Sequence, residues 1–338
     1  MKPMRGLVLS GSNNLFSIAC DDGARRLCGI KGKRIRGLDD TWNSLAAGDK
    51  VEIEPDLLDA ARGLVTTLLP RRNLFGRFNE KGNSEQAIAA NVDLVACVSS
   101  PSLPPFRPRF VDRVAVLAEA AAVPLLIIMN KSDLGVSEEI EDRLAGYQEL
   151  GYEVHLASAT TGEGIAELRD FLEGGVSAFI GQSGVGKSSL INALEPGLLR
   201  RTGEVSEKFN RGKHTTTMAE LLLLSGGSTW IADTPGVRRL ALRGIEPSTL
   251  IAYFPELSGL ESLCPFGLSC THTHEEGCAV KRALGEGLIH PDRWESYRRI
   301  RGELEASQAY AKAQGRRVRI RRPANRKAGA GPEEMEDE

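Results

Sequence analysis

No apolar run in the 338 residues approaches the roughly 20 that a helix needs to cross a bilayer; the longest, such as residues 123–129, stop far short of it. The opening stretch "MKPMRGLVLSGSNN" carries two positive charges, but its apolar segment is too short for the core of a signal peptide. A strong charge bias is missing too. The formal net charge is -2, so any nucleic-acid role has to come from local clusters of charge. No internal repeat is visible. These absences predict a cytoplasmic, globular chain with no membrane segment, long enough for two or three domains that each bury a core.

The six cysteines divide unevenly. Cys20, Cys28 and Cys97 stand alone among apolar neighbours, as small core hydrophobes do. Cys264, Cys270 and Cys278 crowd around His272 and His274. In a reducing compartment such a cluster reads as metal ligands before it reads as disulfides.

Along the chain, residues 1–69 hold five short strand candidates separated by turn signals: "RGLVLS", "LFSIAC", "RRLCGI", "DKVEIE" and "GLVTTLL". That spacing predicts a small closed barrel, an OB-fold in preference to an SH3-like barrel of the same periodicity. Residues 70–246 change texture. From "VDLVACVSS" onward, apolar strands alternate with helical stretches such as "RFVDRVAVLAEAAA" and "EEIEDRLAGYQELG", the pattern of a parallel sheet with helices on both faces. Within them, residues 201–217 lack apolar periodicity and read as a loop. Residues 247–312 read as a mostly helical domain containing "STLIAYFPELSGL", the Cys/His cluster and a long charged helix. Residues 313–338, a basic run followed by "PEEMEDE", read as a disordered tail.

"GQSGVGKSSL" at 181–190 follows a strand and opens a helix, the context a phosphate-binding loop requires. Its residues Gly181, Gln182, Ser183, Gly184, Val185, Gly186, Lys187, Ser188 and Ser189 are the candidates for wrapping phosphates. Backbone N–H groups and the positive end of a helix dipole favour the anion. Lys187 suits the β and γ phosphates, and Ser188 suits Mg²⁺.

Asn130, Lys131 and Asp133 of "NKSD" follow an apolar strand and resemble the base-reading motif of guanine-specific GTPases. An aspartate accepts from guanine N1–H and the 2-amino group, donors that adenine lacks at those positions. Ser158 and Ala159 of "ASATTGEGI" resemble the loop that backs the base in the same proteins.

"DTPG" at 233–236 places Asp233 at a strand end to hold Mg²⁺, with the Gly236 N–H available to a γ phosphate. Upstream, "RGKHTTT" offers Thr216 as a further Mg²⁺ ligand, with Thr215 and Thr217 as close rivals. Where many GTPases carry a water-positioning Gln after this motif, the residue is Val237, which cannot hydrogen-bond water. His214 is the nearest candidate for that task. Lys187, Thr216 and His214 are therefore the expected catalytic group, and turnover should be slow until a partner orders the loop.

Cys264-x5-Cys270-x-His272-x5-Cys278 supplies three thiolates and an imidazole, the ligand set of one structural Zn²⁺ with a closed tetrahedral shell. His274 could replace His272 on spacing alone.

The base motif comes before the phosphate loop and the switch motifs after it, the order of circularly permuted GTPases. With a barrel in front and a Cys/His domain behind, "LPRRNLFGR", "AIAANVDLV", "RGKHTTT", "DTPGVR" and "CTHTHEEGCAV" resemble the RsgA (YjeQ) family of small-ribosomal-subunit biogenesis GTPases. The resemblance implies GTP hydrolysis to GDP stimulated by the 30S subunit, a late assembly or checkpoint role, and a barrel that contacts 16S ribosomal RNA. It also implies zinc on Cys264, Cys270, His272 and Cys278, and a catalytic His214. The first two cysteines are separated by five residues where the family usually has four, and "EEGC" stands for "EPGC". A monomer is expected. Arg34, Arg36, Arg71, Arg72 and Arg77 border the barrel and are candidates for RNA backbone contacts. The competing reading is a GTP-regulated RNA-binding module in which hydrolysis is incidental. A small kinase fits the base motif poorly.

Overall fold

The computed structural model describes residues 4–12, 14–31, 35, 45–79, 84–198, 218–234, 240–242 and 244–313. The first five strands are β1 (Met4–Ser12), β2 (Leu15–Cys20), β3 (Arg25–Ile30), β4 (Lys50–Pro55) and β5 (Arg62–Leu68). They close into a barrel in the order β1-β2-β3-β5-β4, with β3 and β5 parallel and the other pairs antiparallel. Alternate residues Phe16, Ile18 and Cys20 on β2, and Val51 and Ile53 on β4, point inward and are buried. This is the OB-type barrel expected, with all five strands where the apolar stretches put them.

A hairpin of β6 (Leu74–Asn79) and β7 (Ser84–Ala90) follows, which the sequence reading did not anticipate. Small residues let it lie close against the barrel: Ala46, Ala87 and Ala90 pack together, and the Ala90 N–H donates to the Ala47 carbonyl at 2.8 Å. Beside it, the Arg71 guanidinium donates twice to the fully buried Asp49 carboxylate, at 2.7 Å each. Arg72 pairs with Asp93. Arg34 and Arg36 lie outside the described residues.

The next sheet contains β8 (Leu94–Ser99), β9 (Leu125–Asn130), β10 (Glu153–Ala157), β11 (Gly175–Gly181), β12 (Glu220–Leu223) and β13 (Thr229–Asp233) in the order β10-β9-β8-β11-β13-β12. The expectation of a parallel sheet needs one correction: edge strand β12 is antiparallel to β13, because a tight turn with Gly226 and Gly227 at positive φ joins them without a crossover helix. Helices α1 (Pro108–Ala121), α2 (Glu138–Glu149), α3 (Ile165–Phe171) and α4 (Lys187–Leu194) cover both faces. Val95 and Cys97 of β8 share a core with α1 and α2, whereas Ala96 and Val98 share one with α3 and α4. Strands buried on both sides have no polar face, which explains their continuous apolar runs.

Beyond this sheet come 3-10 turns at Pro247–Tyr253, Leu260–Leu263 and Gly267–Ser269, then α5 (Ala279–Gly285) and α6 (Pro291–Ala313). The helix expected over "STLIAYFPELSGL" is instead a single 3-10 segment, Pro247–Tyr253, followed by turns up to Leu260. Phe254 is extended at φ -116°, ψ 102°, as a residue before Pro255 prefers to be. Asp112 of α1, fully buried, joins this lobe to the sheet. Its carboxylate accepts from Arg293 at 2.8 Å, Ser296 at 2.5 Å, Tyr147 at 2.6 Å and Arg143 at 3.3 Å. Among the described residues, no helix is long and apolar enough to cross a membrane.

Candidate nucleotide site and metal-ligand cluster

Strand register brings the motif residues to one edge of the sheet. Ala157 lies opposite Asn130, Ser99 opposite Met129, Gly181 opposite Val98, and Asp233 opposite Phe179. The carboxyl ends of β10, β9, β8, β11 and β13 therefore lie together. The chain proceeds outward from β8 through β9 to β10, then returns to place β11 on the other side of β8. Ligands of open α/β sheets bind at such a reversal, beyond the carboxyl ends of the strands.

At its centre is Asn130, whose side chain is 1% exposed. Its Nδ2 donates to the Val185 carbonyl at 2.9 Å, and its Oδ1 accepts from the Ala159 N–H at 3.1 Å. One amide thus ties the phosphate loop to the Ser158–Ala159 loop. The approach is close: a Cβ on Gly186, which has φ +91°, would stand 2.4 Å from Asn130 Nδ2. Only glycine meets both demands. Lys131 extends the tie by donating to the Gly184 carbonyl at 2.7 Å and to the Leu103 carbonyl. Asp133 is solvent-facing, and its Oδ1 accepts from the buried Ser158 hydroxyl at 2.5 Å. That bond orients the carboxylate while leaving it an open face for a donor-bearing base.

Ser183, Gly184, Ser188 and Ser189 are exposed along the loop, and Gln182 also lines a cavity of about 830 Å³ with Phe106, Arg113, Leu240 and Tyr310. Lys187 is buried and donates to the Gly181 carbonyl at 3.3 Å. Burial lowers its pKa, and the charge of Asp233 opposes that shift. Burial likewise raises the Asp233 pKa, with Lys187 acting against it. Among the described residues, Asp233 Oδ1 is a buried oxygen without a hydrogen-bond partner. Such an orphan carboxylate oxygen within electrostatic reach of Lys187 fits a hard cation that takes oxygen ligands.

In the C-terminal lobe the ligand atoms of Cys264, Cys270, His272 and Cys278 all lie within 4.8 Å of one another, and all four residues are buried. Cys264 Sγ is 3.8 Å from Cys278 Sγ, and His272 Nδ1 is 3.6 Å from Cys264 Sγ and 3.4 Å from Cys278 Sγ. A tetrahedral shell with Zn–S near 2.3 Å and Zn–N near 2.0 Å puts ligand atoms about 3.5–3.8 Å apart. The donor set therefore fits Zn²⁺ in both chemistry and spacing. His272 is the imidazole in the cluster; His274 is exposed.

A sequence profile of the RsgA GTPase family matches residues 68–243. A small ribosomal subunit biogenesis GTPase RsgA from Gemmatimonas aurantiaca is 41% identical over 301 residues, 88% of this chain and 97% of its own length. The chain belongs to the RsgA GTPase family. It is a GTPase. Among solved structures, YjeQ from Thermotoga maritima aligns with TM-score 0.66 at 32% identity, covering 93% of this chain and 99% of its own. YloQ, described as a circularly permuted GTPase, aligns at 0.65 and 25% identity over 90% of this chain and 96% of its own.

In this RsgA-family chain His214, Thr215, Thr216, Thr217, Gly236 and Val237 lie outside the described residues, as does the tail from residue 314. Two further participants come from positions to which the motifs assign no role. The Leu103 carbonyl reaches Lys131 from the β8–α1 loop, and the Thr234 hydroxyl donates to the Phe179 carbonyl at 2.6 Å, pinning the strand end that carries Asp233. Main-chain acceptors leave no trace in side-chain pattern, and the threonine of "DTPG" shows its hydroxyl bond only in the fold.

Proposed function

We propose that this GTPase converts GTP and water to GDP and phosphate as an assembly factor for the small ribosomal subunit, acting in the cytoplasm as a monomer. The observation that carries the reading is the Asn130 amide, which joins the base-reading and phosphate-binding loops although the chain delivers them in swapped order. Relatives that bear the small-subunit biogenesis description align over most of both chains, which supports the ribosomal part.

In this reading Asp133 accepts from guanine, Ser158 and Ala159 back the base, and residues 181–189 with Lys187 bind the phosphates. Ser188, Thr216 and Asp233 would hold Mg²⁺, which supplies charge neutralisation at the β and γ oxygens. Lys187 exchanges the Gly181 carbonyl for a phosphate oxygen, and the Gly236 N–H would be available to the γ phosphate. His214 orients the attacking water, a task closed to Val237. The work divides between a barrel (1–69) that binds 16S rRNA, the permuted GTPase domain (70–246) and a lobe (247–312) built on one structural Zn²⁺.

The test is GTP turnover with and without 30S subunits, for the native chain and for His214→Ala. Stimulation by the subunit that the variant loses is the expected result. Val237 favours one other reading, a GTP-regulated RNA-binding module; unstimulated turnover in the native chain would select it.

A further inference from the structure

Three of the four clustered ligands sit beside regular structure. Cys264 directly follows the 3-10 turn Leu260–Leu263, Cys270 follows Gly267–Ser269, and Cys278 caps α5. His272 lies in the irregular segment between them, at φ +60°. Residues with a Cβ seldom adopt that region and hold it only where the surroundings fix it.

What fixes it is the side chain of Glu275. Its Oε1 accepts from the Thr271 N–H and the Thr271 hydroxyl, both at 2.6 Å. Its Oε2 accepts from the Thr273 N–H at 2.9 Å and the His274 N–H at 3.1 Å. The donors come from the residue before His272 and from the two after it. A single planar group therefore grips the main chain on both flanks of the ligand. The Thr271 hydroxyl first, then the main-chain N–H groups of Glu275 itself, Thr271 and Thr273, hold the carboxyl well below the usual carboxylate range, so it remains an acceptor on both oxygens.

We propose that Glu275 is the positioning residue of the metal cluster: its carboxylate templates residues 271–274 so that His272 Nδ1 faces the three cysteine sulfurs before an ion arrives. The proposal rests on the zinc reading above. Partners that orient a metal ligand from outside the coordination shell typically change affinity about 10–100-fold when removed.

Two substitutions separate this role from simple bulk. Glu275→Ala removes both acceptors. Glu275→Gln keeps the volume but turns one oxygen into a donor facing other donors. Zinc-loaded protein is mixed with a chromophoric chelator and metal release is followed, and the visible spectrum is recorded with Co²⁺ in place of zinc. Both variants are expected to release zinc about 10–100-fold faster than the native chain, with altered thiolate–cobalt bands, while GDP binding is unchanged. Release at the native rate with an unchanged cobalt spectrum in both overturns the proposal and leaves the zinc reading intact. Native release by Glu275→Gln alone also overturns it, since bulk would then suffice. A native chain that takes up neither zinc nor cobalt overturns the zinc reading, and the proposal with it.

Discussion

Arg293 and Asp112 meet at 2.8 Å inside the protein although 181 residues separate them along the chain. Arg293 also donates to Glu256 at 2.6 and 3.0 Å, and Asp112 takes Arg143 on both its oxygens at 3.3 Å. Two carboxylates and two guanidiniums thus balance within a buried cluster that staples the C-terminal lobe to α1 and α2, the helices on either side of β9 in the chain. Removing one member leaves a buried charge without its partner, which costs about 3–5 kcal/mol. Asp112→Ala should lose that much in urea-induced unfolding. Arg293→Ala combined with Asp112→Ala should cost less than the sum of the two singles, and a strictly additive result would refute the coupling.

Asn130 should matter to affinity more than to folding. Asn130→Ala leaves the Val185 carbonyl and the Ala159 N–H without their shared partner, a loss of about 1–3 kcal/mol. If that cost falls on the ordered, nucleotide-binding form, GDP affinity drops by about 10–100-fold. Titration calorimetry reads it directly. Gly186→Ala, which drives a methyl into the same amide at a positive φ, should be at least as severe.

In the proposed function Asp133 sets the base preference. Replacing it with Asn puts an amide donor where guanine also donates, while xanthine offers a carbonyl at the 2-position. Asp133→Asn should weaken GTP binding by about 100-fold or more, as a mismatched hydrogen-bonding site does, and improve binding of xanthosine triphosphate. Competition between the two nucleotides gives the answer.

Asp233 carries a prediction in pH. Burial raises its folded-state pKa above the ordinary value of 3.8, with Lys187 opposing the shift. A carboxyl with a raised folded pKa contributes stability below its unfolded pKa, and that contribution is lost as pH rises through the folded one. In the absence of nucleotide and magnesium, stability should therefore decline as pH climbs from about 4. Asp233→Asn should remove that part of the slope and stabilise the empty protein at neutral pH. The same variant should bind GTP with no gain from magnesium. An unchanged slope in the variant would count against the assignment.

Much of this was readable beforehand, for identifiable reasons. The five barrel strands alternate, so period two exposed them; β8, β9 and β11 run apolar because both faces are covered. The phosphate loop and "NKSD" stand out because glycine, lysine and aspartate at fixed spacing have few other uses after a strand. Spacing did not choose between His272 and His274; that needed the left-handed turn that brings one inward and leaves the other exposed. The hairpin β6–β7 was invisible, because its buried residues 87–90 are consecutive and mostly alanine and so show no alternation. Asp112 gave no signal either. A carboxylate on an apolar helix face looks like a solvated exception until the arginines of α2 and α6 arrive from elsewhere in the chain.

The strand order has a consequence for synthesis. β8, the first of its sheet to be made, is flanked by β9 on one side and β11 on the other. A nascent chain can complete β8, β9 and β10 and lay α1 and α2 over them while the opposite margin of β8 still lacks its neighbour. Its main-chain donors and acceptors there stay unmatched until the ribosome has produced β11, and an open apolar margin of that kind invites wrong pairing. The strand that closes it leads straight into the phosphate loop, so the nascent protein seals that margin only as the means of gripping its nucleotide emerges.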